Sequence, residues 1–138
     1  MGNGIFDNTI GALNTSLNLR QMNQNVISSN IANADTPGFK SKAMDFENAM
    51  RTAMGIGDQL KMQASNPNHI IPQEQDPIHP EIFDDPNGVE SLDGNTVERS
   101  AEMAKLSENQ LLYDASIEML KKKLGMLKYA INEGGGNR

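Results

Sequence analysis

The chain predicts a mainly α fold: two long terminal helices paired as a coiled-coil-like hairpin, with an irregular Pro-rich middle region that has room for short β pieces. Three observations carry this. Near the C-terminus, Met103, Leu106, Gln110, Tyr113, Ile117, Leu120, Leu124, Leu127 and Ile131 step by 3 and 4 without a break. That spacing over four heptads reads as a coiled-coil seam rather than an ordinary amphipathic stripe. Near the N-terminus, Phe6, Ile10, Leu13, Leu17, Arg20, Gln24, Ile27 and Ile31 repeat the pattern, six of the eight being apolar. Between the two, Pro67, Pro72, Pro77, Pro80 and Pro86 are too dense for helix and too frequent for long strands.

The organisation that follows is a helical segment 1–34, a turn and short helix 35–57, an irregular middle 58–96, a helical segment 97–132 and a tail 133–138. In the first segment Ala12, Leu19 and Val26 widen the apolar stripe, and Asp7 or Asn8 suits the N-cap. Only Asp7 and Arg20 are ionised among residues 1–34, which hold eight Asn. Asn is a poor helix former, so this helix should be marginal alone. Solvated helices usually carry Lys and Glu. An Asn-rich, weakly charged helix instead fits packing against several neighbours, where amides bond sideways.

The helix stops at Ser28–Lys40. Pro37 disfavours helical backbone at Thr36, and Asn33 suits a left-handed residue past the helix end. Thr36-Pro37-Gly38-Phe39 suits a type II turn, with Gly38 free to take positive φ. Met44–Met54 follows as a short helix with Phe46, Ala49, Met50, Ala53 and Met54 on one face, ended by Gly55 and Gly57. In the middle, Leu60–Ala64 and His69–Ile71 are candidate extended pieces. The last helix should begin at Thr96, with Asn95 or Thr96 as N-cap and Glu98 in the first turn. Lys121, Lys122 and Lys123 near its end match the helix dipole, and Gly134-Gly135-Gly136 stops it.

Composition narrows the function classes. Of 138 residues, 37% are hydrophobic and 4% aromatic with no Trp, enough only for a thin core. Nine Met suit adaptable helix packing. A net charge of −6 argues against nucleic acid as a partner. No Cys excludes a disulfide framework, a thiolate metal site and a cysteine nucleophile. No cleavable signal peptide or membrane-spanning run is visible, so composition alone points to the cytosol.

Candidate chemistry is sparse. His69 and His79 sit among Asp76, Glu81, Asp84 and Asp85, but at no recognisable metal-ligand spacing. Asp85-Pro86-Asn87-Gly88 echoes a calcium loop without its alternating acids, and a plain turn is the better reading. Asn14-Thr15-Ser16 matches a glycosylation sequon by chance. There is no phosphate loop and no nucleophile–base pair, so catalysis, cofactors and metal are not expected.

The run Ser28-x-Asn30-Ile31-Ala32-Asn33-Ala34-Asp35-Thr36-Pro37-Gly38-Phe39-Lys40 resembles the signature of the bacterial flagellar rod and hook family of axial proteins. Leu19-Arg20, Asp45-Phe46 and Ser91-Leu92-Asp93-Gly94-Asn95-Thr96-Val97 agree with it, and the resemblance covers roughly residues 5–47 and 91–131. It implies Asn30, Ala32, Asn33, Thr36, Pro37, Gly38 and Phe39 as the motif, and the two apolar series as assembly helices. It further implies a structural, torque-transmitting component of the proximal rod that encloses the export channel and leaves the cytoplasm without a cleaved signal. Its implied partners are further copies, other rod proteins such as FlgC, the adaptor FliE, the MS ring and the export gate. Without the resemblance, the residues fit a helical protein that oligomerises, a soluble coiled-coil adaptor or export chaperone being the other class.

Overall fold

A computed structural model describes residues 5–56 and 80–134. The elements are α1 (Ile5–Ala32), β1 (Lys42–Met44), α2 (Phe46–Ala53), β2 (Ile82–Asp84) and α3 (Arg99–Gly134). The hairpin expected from the two apolar series is present. Helices α1 and α3 run antiparallel, with Asn30 against Glu102 and Asn23 against Asn109.

Several local expectations are corrected. Helix α1 begins at Ile5, so Asp7 and Asn8 lie inside its first turns rather than capping it. No residue other than Gly has positive φ among the described residues, so Asn33 is not a left-handed cap. Its backbone N–H instead bonds the carbonyls of Ser29 and Asn30, and its side-chain amide donates to Ser29 O. Helix α3 begins at Arg99, three residues later than Thr96. The reason is that Asn95 and Thr96 spend their side chains on the opposite arm of the hairpin, as described below.

Helix α2 begins at Phe46 rather than Met44, because Asp45 caps it and Met44 belongs to β1. Asp45 accepts from the Asn48 N–H at 2.9 Å, Glu47 stands in the first turn, and Gly55 at φ +66° ends it. Strands β1 and β2 pair antiparallel, Lys42 with Asp84, Ala43 with Phe83 and Met44 with Ile82. β1 falls in the segment expected to hold only a turn and a helix. Three residues without alternation carry no strand signal. The proposed extended pieces at 60–64 and 69–71 lie outside the described residues.

The contact between α1 and α3 differs in its rotation from the sequence expectation. The buried residues of α3 are Glu102, Asn109 and Ser116, each seven residues apart. Leu106, Tyr113, Leu120 and Leu127 flank that line and are half-buried. Of the rest of the expected seam, Ile117 is half-buried, whereas Met103, Gln110, Leu124 and Ile131 are exposed. On α1 the facing residues are Asn23 and Asn30, again seven apart, with Ile27 buried beside them and Ser16, one repeat earlier, half-buried. The helices meet through a polar line with apolar flanks. Buried apolar side chains among the described residues are few: Leu19, Ile27 and Ala49. At about 1.5–3 kcal/mol per large side chain, that core is thin.

Candidate functional site

The two sequence motifs, more than fifty residues apart, form one junction at the closed end of the hairpin. The turn has the Phe39 N–H to Thr36 O bond at 3.2 Å and Gly38 at φ +72°, as a type II turn requires. Next to it, Gly94 takes φ +80° in the turn closed by its N–H on Ser91 O. The turns are tied by Gly38 N–H to Asp93 O at 2.9 Å and Thr96 N–H to Phe39 O at 3.0 Å. A Cβ on Gly94 would lie 3.5 Å from Gly38 Cα, so the backbones pass in close contact.

Asn95 is the centre of this junction. Its buried side-chain amide donates to the carbonyls of Asn33, Ala34 and Thr36 at 3.0, 3.1 and 2.7 Å. A helix leaves its last carbonyls without intrahelical partners, and Asn95 supplies donors for the end of α1 from the other arm. Its Oδ1 accepts from the Val97 N–H, which directs the chain into α3. Thr96 Oγ1 accepts from the Ser41 N–H at 2.8 Å. Asp35 pairs with Arg99, and Lys40 with Glu90, on the exposed rim.

One turn down α1, Asn30 performs the same service for β1. It accepts from Lys42 N–H and donates to Lys42 O, both at 2.8 Å, and its amide also donates to Glu102 at 2.8 Å. Glu102 accepts in addition from Lys105, which also pairs with Asp85. Burial opposes the charge on Lys105, but Glu102 and Asp85 together raise its pKa above the usual value. The Asn87 backbone N–H, then Lys105 against the cost of burial, hold Asp85 below the ordinary carboxylate range.

Asn30, Asn33, Thr36 and Gly38 thus bond across the junction. Ala32, Pro37 and Phe39 contribute shape: Ala32 and Pro37 are exposed, and Phe39 is half-buried. On α1, Ile27 is buried, and Ile10, Leu13, Leu17 and Ile31 are half-buried. Asp85-Pro86-Asn87-Gly88 is a turn, with Gly88 N–H on Asp85 O and Asn87 N–H on Asp85 Oδ1. No group of three His, Cys, Asp or Glu is placed to hold a metal among the described residues, and His69 and His79 lie outside them. No helix among those residues is long and apolar enough to cross a membrane.

Away from the junction, α3 presents apolar side chains to solvent on two flanks. Leu112, Met119 and Met126 lie along one, Met103 and Leu124 along the other, all at least 39% exposed. Leu111, Leu112, Met119 and Met126 lie off the main seam in the sequence, where a lone hairpin leaves them wet, and they are exposed; that Met103 and Leu124 of the expected seam also face outward was not indicated.

The motif at the turn has matching relatives. Residues 10–40 match the family described as "Flagella basal body rod protein". The flagellar basal body rod protein FlgB of Yersinia ruckeri is 31% identical, over 94% of this chain and all of that protein. FlgB of Aeromonas hydrophila is 34% identical over 89% of this chain and 92% of its own. The chain belongs to the FlgB family of flagellar basal body rod proteins. FlgB of Escherichia coli K12 agrees at 33%, over 85% of this chain and 86% of that protein. As a member of the FlgB family, the chain is a component of the flagellar basal-body rod and assembles with other rod components.

The residues of the junction and hairpin that the sequence did not place are Asn95 and Thr96, assigned there to capping α3, and Glu102 and Asn109, given no role. A seven-residue repeat of polar side chains on both helices was the available signal.

Proposed function

We propose that the chain builds the membrane-proximal end of the rod, where its terminal helices pack into a tube that encloses the export channel and transmits torque. The observation that carries this reading is the outward apolar character of α3. Leu112, Met119, Leu124, Met126 and Ile131 would stay wet in a lone hairpin, and apolar faces of this extent call for neighbouring subunits. Segments 1–34 and 97–132 act as the axial helices, and the turn at Thr36–Phe39 fixes the direction in which the chain leaves α1. The partners are further copies, a FlgC-like rod protein, the adaptor FliE, the MS ring and the export gate. The chain reaches them through the flagellar type III export apparatus without a cleaved signal.

The test is deletion of the gene and complementation with a tagged chain, followed by purification of basal bodies. Restored motility with the tagged, uncleaved chain at the proximal rod supports the reading. Full motility without the chain, or a chain confined to the cytoplasm, contradicts it.

A further inference from the structure

Arg20 is the unusual cation of this fold. Its Nε is buried with no hydrogen-bond partner, and its guanidinium stacks 4.5 Å from the Phe46 ring centroid. Burial pushes its pKa down, and Glu108 opposes that through space without forming an ion pair. Beside it opens a groove of about 370 Å³, whose lining includes Asn23, Lys42, Lys105, Glu108, Asn109 and Leu112. The other cations there are already engaged: Lys42 by Asp84, Lys105 by Asp85 and Glu102. A stacked, partly desolvated guanidinium on the wall of a groove is suited to a carboxylate arriving from outside, although its Nε is itself closed to solvent.

We infer that Arg20 and its groove form a carboxylate receptor for Asp114 of a neighbouring copy, with the two hairpins side by side and parallel. This rests on the rod reading and deepens it. Position argues for the occupant. Asn23 lies against Asn109, so Arg20, three residues further down α1, is level with Leu112. Asp114 lies two residues beyond Leu112, about 3 Å along the helix, and about 160° round it. Copies standing at equal height therefore bring Asp114 of one to the groove of the next.

The flanking surfaces agree. The groove opens on the Leu112, Met119, Met126 flank; Asp114 is exposed beside the Met103, Leu124 flank and holds only a hydrogen bond from Gln110 at 3.0 Å. Each interface would join apolar to apolar and cation to anion. A two-fold pair through the groove flank would oppose Arg20 to Arg20, so charge favours a heterologous contact, the kind that closes into rings or winds into helical arrays.

The experiment uses the full chain in basal bodies. Because the sequence has no Cys, Glu108→Cys with Gln110→Cys gives one thiol on each flank, too far round the helix to join within a chain. Oxidation or a short thiol cross-linker is expected to link copies into dimers and higher multiples in purified basal bodies, and not in dilute protein. In parallel, Arg20→Glu should lower incorporation at least about tenfold, Arg20→Gln less, and Arg20→Glu with Asp114→Arg should recover it. Cross-links to a different protein, or none in rods that contain the chain, overturn the inference. So does normal incorporation of Arg20→Glu, or failure of the charge swap to restore it. Absence of the wild-type chain from basal bodies would instead remove the rod reading itself.

Discussion

The Asn30 side-chain amide lies 2.8 Å from the Glu102 carboxylate, and both side chains are buried at the contact between the terminal helices. A carboxylate is costly to bury, and here two donors, Asn30 and Lys105, receive it. Asn30 is also the only side chain bonded to both backbone groups of Lys42 among the described residues. Asn30→Ala should therefore destabilise the purified chain by about 2–3 kcal/mol, read from urea unfolding, since it strands Lys42 N–H and half of the Glu102 shell. Asn30→Asp should be worse, because it sets a second carboxylate against Glu102. Glu102→Gln with Asn30→Asp should recover part of the loss.

Asn95→Ala removes the amide that three carbonyls at the end of α1 share, and the acceptor for Val97 N–H. The expected loss is on the order of 2–3 kcal/mol. Amide exchange should locate it, with residues 29–39 losing protection while the middle of α1 keeps it. Uniform loss along α1 would show that Asn95 is not a local clamp.

Gly38→Val tests the turn. There is open space for a side chain at Gly38, so any loss comes from the backbone at φ +72°. A β-branched residue resists that region at a cost of about 1–3 kcal/mol. Gly38→Ala should cost less. Equal unfolding midpoints for wild type and Gly38→Val would contradict the strained-turn account.

Asp85 sets an acid dependence. Its folded pKa is lowered, so its stabilisation is fully present above the ordinary value near ~3.9 and fades as pH falls through the lowered one. Lys105, whose pKa is raised, stays charged throughout that window. Asp85→Asn should make unfolding below about pH 4 less steep in pH than in wild type. Identical acid profiles would show that Asp85 holds nothing.

The helices were legible because 3–4 spacing depends only on backbone geometry. The rotation of α3 was not, because reading the Met103–Ile131 series as the hairpin seam assumes that apolar residues face the partner within the chain. In a subunit of an assembly they also face other subunits, and Glu102 and Asn109 bond across the hairpin, with Ser116 buried on the same line. The junction was half legible. Pro37 and Gly38 announce a turn through their own dihedral preferences. Asn95, by contrast, acts across sixty residues of sequence on the carbonyls of Asn33–Thr36, and no local rule distinguishes that from capping. Short β pieces were expected in the middle region and β2 is one, but its position and β1 were not legible, because each strand is three residues long and paired across the whole middle region.

The central claim is that the exposed apolar flanks of α3 are the assembly surface, and Leu124 and Met119 test it most directly. They lie on opposite flanks, 50% and 55% exposed, so the fold of a single chain depends little on them. Leu124→Ser and Met119→Ser should each leave the unfolding of the purified chain within about 0.5 kcal/mol of wild type, as ordinary surface changes do. Incorporation into purified basal bodies, measured against Lys122→Ala at equal expression, should fall at least about tenfold for both. Normal incorporation of both serine variants would contradict the account.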